Sequence, residues 1–364
     1  MNIVNNSSSH LLTINLSIIF SQPTGISNYA LNLLPYLKHL QPTLLTAQNY
    51  PEFNCYTIPN NLTPADGIKG HLNRLIWTQF QLPKIYTNLK STLLFSPIPE
   101  APLYKNCRFI VMSHDMIPLR FPKPFSPLTP YHRYYTPQVF NQAQHIICNS
   151  EATANDITKF YQISSNKITP IPLACDRSHF QFLNLPTKNY FLYIGRQHPY
   201  KNVHGLISAF AKLLHKNDHE LWLVGPTDKR YTPLLEKQVE ELGINHLVKF
   251  LNYVPYHELP TIINQALALV FPSLWEGFGL PVLEAMACGT PVITSNISSL
   301  PEVTGDAAIL INPYNIQEIT AAMQTIINDA ETRKKLSEQG IKRADQFSWE
   351  KTGMATVEIL KQYI

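Results

Sequence analysis

The sequence predicts an α/β protein of two domains, each built on a parallel β-sheet. Three observations carry this. Length comes first: 364 residues exceed what one hydrophobic core usually organises, so two domains of under about 200 residues each are expected. Second, short apolar runs alternate with longer amphipathic stretches, which is the signature of strand-helix-strand units. Third, the pattern runs twice along the chain and is more regular in the second half.

In the first half, strands are expected at residues 11–20, 44–47, 92–96, 108–112, 145–149 and 168–171. Helices are expected at 27–39, apolar at Leu31, Leu34 and Leu37, and at 151–161, where Ser150 suits the N-cap. In the second half, strands at 190–194, 220–224, 248–250, 268–271, 292–294 and 308–311 alternate with helices starting near Asn202, Tyr231, Tyr256 and Gly279. Residues 174–188 hold aromatics, Pro186 and polar residues without a sustained period, and the hinge is placed there. The expected domains are therefore 1–180 and 181–347, with 348–364 a terminal helix packing back on the first domain and 1–10 a frayed tail. Residues 121–130 contain four of the 29 prolines and read as a loop, either a cover over a ligand or an inert excursion.

Composition bounds the function. At 45% hydrophobic and 15% charged residues the chain is globular, with ample core, and is neither disordered nor collagen-like. The apolar run 11–20 is broken by Thr13, Asn15 and Ser17 and is too short to cross a bilayer. No Lys or Arg precedes it to form a secretory leader, so residence in the cytoplasm is expected. The five cysteines, at 55, 107, 148, 175 and 288, form no C-x-x-C pair, so they are expected to be reduced, buried and idle, and the 13 histidines are too scattered for a zinc site. Residues 1–185 carry 13 Lys/Arg against 7 Asp/Glu, net +6, and residues 186–364 carry 16 against 18, net −2. A basic first half suits an anionic partner or a membrane surface, or is a solvated face. Nucleic acid is not expected, because no basic stripe interleaves with aromatics.

The chemistry concentrates at Phe271-Pro-Ser-Leu-Trp-Glu276-Gly277-Phe278-Gly279-Leu280-Pro281-Val-Leu-Glu284. A strand ends, a glycine loop follows, and a helix opens with Pro281 in its first turn. Such a helix start presents unpaired N–H groups and a positive dipole end, which together bind phosphate. Glu276 and Glu284 flank it, separated by up to roughly 12 Å, so a diphosphate at the helix end has a carboxylate on each side for vicinal sugar hydroxyls.

This Glu-x7-Glu loop resembles the signature of the retaining family 4 glycosyltransferases, which include sucrose synthases, bacterial glycogen synthases and many lipopolysaccharide and exopolysaccharide transferases. Gly195-Arg196-Gln-His-Pro-Tyr-Lys201-Asn202 is similar to the family's G-R-x(3–4)-K-N stretch, where the two cations clamp the diphosphate as leaving group. Thr24-Gly25 resembles the glycine loop after the first strand, although the family often has two adjacent glycines there. Val111-Met-Ser-His114-Asp115-Met-Ile-Pro118 resembles the H-D-x-x-P stretch, whose histidine meets the transferred sugar. Asn149-Ser150 matches a strand-end turn, and Val224-Gly225-Pro226 and Tyr253-Val254-Pro255 match turns that contact the base through backbone.

The resemblance implies the GT-B architecture, two Rossmann-like domains facing each other across a cleft. It places catalysis on His114, Glu276, Arg196 and Lys201, and donor binding on Gly25, Gly195, Gly225, Val254, Gly277, Phe278, Gly279, Leu280 and Glu284. No D-x-D triplet occurs, so neither metal nor cofactor is expected, and the diphosphate charge falls to Arg196, Lys201 and the helix end. The implied reaction is hexose transfer with retention, the acceptor attacking from the face the diphosphate leaves. Pro255 after Val254 supplies no carboxylate for guanine, which favours UDP over GDP, and UDP-glucose is the first expectation for the donor, with mannose and galactose open. A glycan or lipid-linked oligosaccharide of envelope or exopolysaccharide synthesis is the expected acceptor, with peripheral membrane association. The alternatives are a non-catalytic nucleotide-sugar binder and a GT-B epimerase. A pyridoxal phosphorylase lacks an evident Schiff-base lysine segment, and a dehydrogenase lacks G-x-G-x-x-G, Val282 standing where the third glycine belongs.

Overall fold

The computed structural model describes residues 11–20, 25–103, 106–123 and 126–364; the expected tail 1–10 and Thr24 lie outside them. Two compact units divide the chain. The first comprises the described residues up to Pro172 together with Trp349–Ile364, and the second is Leu173–Ser348.

In the first unit, β1 (Leu12–Asn15), β2 (Thr43–Thr46), β3 (Asn54–Thr57), β4 (Leu93–Ser96), β5 (Phe109–Ser113), β6 (His145–Cys148) and β7 (Ile168–Pro170) form a parallel sheet in the order β3-β2-β1-β4-β5-β6-β7. Every residue of β1, β2, β4, β5 and β6 is buried, as a sheet covered on both faces requires. β1 is shorter than the apolar run suggests: Leu16, Ile18 and Ile19 are buried, but the chain turns at Ser17, whose N–H bonds Asn15 Oδ1 at 3.1 Å. β3 was not anticipated. It is an edge strand exposed on every residue, so it carries no apolar alternation, and its Cys55 is exposed rather than buried. Two helices between β3 and β4, Gly67–Phe80 and Leu82–Asn88, were likewise unassigned. The proline-rich loop ends earlier than expected, because the chain becomes helical at Leu128–Pro130, where Pro130 needs no intrahelical N–H. The helix Glu151–Tyr161 begins as read, with Ser150 Oγ accepting Thr153 N–H at 3.1 Å.

In the second unit, β8 (Tyr190–Ile194), β9 (Glu220–Val224), β10 (Val248–Leu251), β11 (Ala268–Phe271), β12 (Val292–Ser295) and β13 (Ile309–Ile311) form a second parallel sheet, ordered β10-β9-β8-β11-β12-β13. Both sheets have the doubly wound order of Rossmann-like domains, with strand order reversing beside β1 and beside β8. Residues 173–180, expected in the first domain, belong to this unit. Phe180 is buried, His179 stacks on Tyr256 at 3.9 Å, and Asn264 Nδ2 donates to Gln181 O at 3.0 Å. No helix among the described residues is long and apolar enough to cross a membrane.

The terminal helix Trp349–Lys361 packs in the first unit on the helix Gly25–Leu37. Thr352 Oγ1 donates to Pro172 O at 2.7 Å, and a Cβ on Gly353 would lie 2.4 Å from the Tyr36 ring. That contact is with the stem of a side chain, which has little room to yield. Gly353→Val is therefore expected to destabilise the fold by roughly 1–3 kcal/mol and to lower Tm by several degrees. An unchanged thermal transition would show that the two helices do not meet so closely.

Candidate functional site

In the second unit the strand order reverses between β8 and β11, and open α/β sheets bind ligands beyond the carboxyl ends of strands at such a point. Gly195 and Arg196 follow β8; the loop from Pro272 to Gly279 follows β11. Leu274 N–H bonds Tyr200 O at 2.7 Å and fastens the two loops together. Across that join Lys201 Nζ lies 2.5 Å from Glu276 Oε1, with side chains only 14% and 9% exposed. The ammonium also lies 5.4 Å from the Tyr200 ring centroid and 5.3 Å from that of Phe271. Lys201 and Glu276, 75 residues apart, are thus one buried ion pair.

The loop carrying Glu276 is fixed from behind. Ser299 Oγ donates to the carbonyls of Glu276 (3.1 Å) and Phe278 (2.9 Å), Ser298 Oγ accepts Glu276 N–H at 3.2 Å, and the buried Phe278 ring meets Phe347 edge-on at 5.9 Å. These serines were not anticipated; a run of small polar residues after a strand is too common to mark them. Gly277 is buried, and Gly279 has φ +106°, a conformation closed to most side chains, while a Cβ there would lie 2.7 Å from Leu300. Leu280 opens the helix Leu280–Ala287, Pro281 sits in its first turn, and no side chain caps this end among the described residues. The first N–H groups of the helix are thus not met by a side-chain cap.

Glu284 lies within this helix, partly buried, and no ion pair reaches it among the described residues. Burial raises its pKa to about 7. Neighbouring strand ends approach one another closely: Gly225 N–H bonds Leu251 O at 3.0 Å, Gly195 N–H bonds Val224 O at 2.9 Å, and a Cβ on Gly225 would lie 2.1 Å from Gly195 O. Only glycine fits at 225. Val254 lies half-buried after β10. Arg196 does not join the pair: its side chain is exposed, its carbonyl accepts from Tyr193 Oη at 2.8 Å, and it forms no ion pair among the described residues.

His114 and Gly25 belong to the first unit, in different elements. His114 follows β5, and its Nε2 donates to Pro97 O at 2.9 Å, so Nδ1 is the acceptor of the neutral ring. Burial lowers its pKa to about 4. Asn149 Nδ2 donates to His114 O at 2.8 Å, so the ends of β4, β5 and β6 are tied together. The Tyr29 ring, from the helix that Gly25 opens, meets His114 edge-on at 5.2 Å. Gly25 itself is exposed with open space where a Cβ would stand, so packing does not demand a glycine there.

Residues 176–343 match the model of the glycosyl transferases group 1, and residues 23–179 match that of glycosyltransferase family 4. The chain is 32% identical over 233 residues to the O-antigen chain mannosyltransferase B of Escherichia coli, a stretch spanning 61% of each protein. It is 28% identical over 328 residues to the O-antigen chain mannosyltransferase RfbU of Salmonella typhimurium, covering 86% of this chain and 90% of that one. Among solved structures it is similar to the sucrose-phosphate synthase of Thermosynechococcus elongatus, with TM-score 0.75, 19% identity and coverage of 96% and 98%. The similarity to Anabaena HepE, solved with UDP and glucose, has TM-score 0.76, 18% identity and coverage of 97% and 100%; at these identities both likenesses concern the fold. With one family model on each half of the chain and a Rossmann-like sheet in each unit, this protein belongs to the group 1, family 4 glycosyltransferases of GT-B type.

Proposed function

We propose that the chain is a retaining hexosyltransferase of O-antigen or exopolysaccharide synthesis that uses a nucleoside-diphosphate sugar without a metal ion and delivers to a glycan or lipid-linked acceptor. The buried Lys201–Glu276 pair beside an uncapped helix start is the observation that carries it. In this reading the diphosphate lies at the start of the helix Leu280–Ala287. Lys201 has three N–H donors and gives one to Glu276, so two remain for phosphate oxygens. Arg196, on the surface nearby in sequence, adds the second cation. Glu276 accepts hydroxyls of the hexose and Glu284 those of the ribose, both as the family resemblance implies, and His114 meets the transferred sugar.

As the bond from the anomeric carbon to the diphosphate oxygen breaks, charge builds on that oxygen, where Lys201, Arg196 and the helix dipole favour it. The acceptor oxygen bonds to the anomeric carbon from the same face, and its proton passes to the departing diphosphate. Glu276 is held by Lys201 and is assigned to binding rather than to covalent attack.

The sugar is assigned differently from the first expectation. The two relatives compared by sequence above are named mannosyltransferases and lend UDP-glucose no support, so a mannosyl nucleotide is placed ahead of it. Thermal unfolding with GDP-mannose, UDP-glucose and ADP-glucose tests this: the true donor at about 100 times its Kd stabilises by about 2.7 kcal/mol. Backbone carbonyls can accept from guanine in place of the carboxylate that Pro255 does not supply, so the preference for UDP gives way to that for mannose and GDP-mannose is expected to give the largest shift. A larger shift with UDP-glucose reverses the choice of sugar, and no shift with any of them removes the donor site.

Glu276→Gln is expected to lower turnover at saturating donor by about 100-fold or more. Near-normal turnover would strip Glu276 of its role.

Glu284 gives a pH signature. Its carboxyl is half protonated near pH 7, so it weakens the fold as pH rises from the usual carboxylate range through that value, and only the ionised form accepts two hydroxyls. Affinity for a nucleotide sugar, whose phosphates are ionised throughout, should rise about tenfold from pH 6 to pH 8. His114 is neutral across this window. Glu284→Gln should flatten the titration profile, and a profile equally steep in the variant would assign the effect to another group.

A further inference from the structure

The first unit contains a cavity of about 600 Å³, within the usual range for ligand pockets, and His114 is the one proposed site residue among those lining it. The cavity also contains a polar cluster that the donor site does not use. Arg74 and Glu100, 4% and 2% exposed, are joined by two parallel bonds of 2.8 Å, Nε to Oε2 and Nη2 to Oε1. Arg74 Nη1 donates to Leu62 O at 3.0 Å and Nη2 also to His71 Nδ1 at 2.8 Å. A guanidinium offers no acceptor, so His71 Nδ1 accepts and the neutral ring carries its proton on Nε2.

Tyr131 stands over this cluster. Its hydroxyl donates to Pro99 O at 3.2 Å and Glu100 Oε1 at 3.4 Å, and its ring meets His71 and His132 edge-on at 5.2 and 5.1 Å. It opens a five-residue π-helical turn, Tyr131–Tyr135, a rare geometry concentrated at functional sites. Much of the remaining wall is aliphatic or proline, including Ile18, Ile98 and, from the proline-rich segment, Pro127 and Leu128.

The charges decide what fits. Among the described lining residues Arg74 is the single Lys or Arg, and Glu100 neutralises it. Burial lowers the pKa of His71, and that of His132 to about 4, so neither supplies a cation near neutral pH. An anionic group entering here would leave water for a largely apolar space that already holds Glu100 and Asp115, with no counter-charge to meet it.

We propose that this cavity seats an uncharged sugar unit of the acceptor against the Tyr131 ring, with His71 Nε2–H available to its hydroxyls, so that the enzyme selects neutral glycans over phosphorylated or uronic acid ones. The proposal rests on the glycosyl transfer proposed above and adds the acceptor's chemical class.

The test uses the full chain and three probes: methyl α-mannoside, mannose 6-phosphate and methyl glucuronoside. Binding is followed by saturation-transfer NMR and, with donor present, by product formation. The neutral glycoside should bind at least about tenfold more tightly than either anion, and Tyr131→Leu should weaken it about tenfold while Tyr131→Phe retains it. The donor-induced thermal shift should be the same in all three proteins, which also reports that each is folded. Equal or tighter binding of an anion, no binding of the neutral glycoside, or indifference to Tyr131→Leu overturns the proposal. Loss of the donor shift in the unaltered protein overturns the donor reading instead, and the saccharide titrations still judge the cavity.

Discussion

The Lys201–Glu276 ion pair is the constraint on which the second unit's site depends. Two opposite charges are taken largely out of water, and such a pair adds little net stability over a well-packed apolar one, because desolvation offsets most of the attraction. Its worth lies elsewhere. Removing either partner leaves a buried charge without compensation, so each residue holds the other in one geometry. That geometry joins the loop after β8 to the loop after β11 at the point where the sheet reverses order, and the bond from Leu274 to Tyr200 makes the same join in the backbone.

The surrounding structure makes this junction rigid. The close approach of Gly195 and Gly225 and the two bonds from Ser299 leave the loops few alternative paths. A site that stabilises a departing diphosphate gains from such rigidity, since donors already in place need no reorganisation as charge develops. Glu284 is the counterpoint. It lies partly buried with its pKa raised to about 7, so the chain alone bears part of the cost of an ionised carboxylate that hydroxyl donors would relieve.

The sequence was most legible where one physical signal dominated. β8, β9 and β11 are found at the residues expected, because strands buried in a parallel sheet are short apolar runs bounded by glycine, proline or polar turns. β1 ends sooner than the apolar run because burial and strand pairing are separate properties: Leu16 keeps one ladder bond, its N–H to Leu45 O at 2.9 Å, while Ile18 and Ile19 are buried without pairing. The helix Gly67–Phe80 defeats periodicity altogether. Ile68, Leu72, Ile76 and Phe80 recur every four residues, yet they are 71%, 54%, 51% and 65% exposed, while Gly70, Arg74 and Thr78 face inward. The Glu-x7-Glu loop stands out as a candidate in the sequence because its residues are close along the chain. The pairing of Lys201 with Glu276, and of Arg74 with Glu100, depends on chain topology and has no local signal.

Net charge shows the same limit from another side. The excess of Lys and Arg in residues 1–185 suits an anionic partner, a membrane surface or a solvated face, and in the cavity of the first unit the one arginine among the described lining residues is neutralised by Glu100 while burial lowers the pKa of the histidines. None of the other described Lys or Arg residues of that half lines it; Lys38, Lys69, Lys84 and Lys90 are exposed to solvent. Exposed charges act over a Debye length and set encounter and solubility, whereas a buried pocket selects by whether each entering group finds a partner. A basic surface and a cavity whose described wall carries no unneutralised cation therefore coexist without conflict in one unit, and in the acceptor reading proposed above it is the cavity that bears on the chemistry of the sugar.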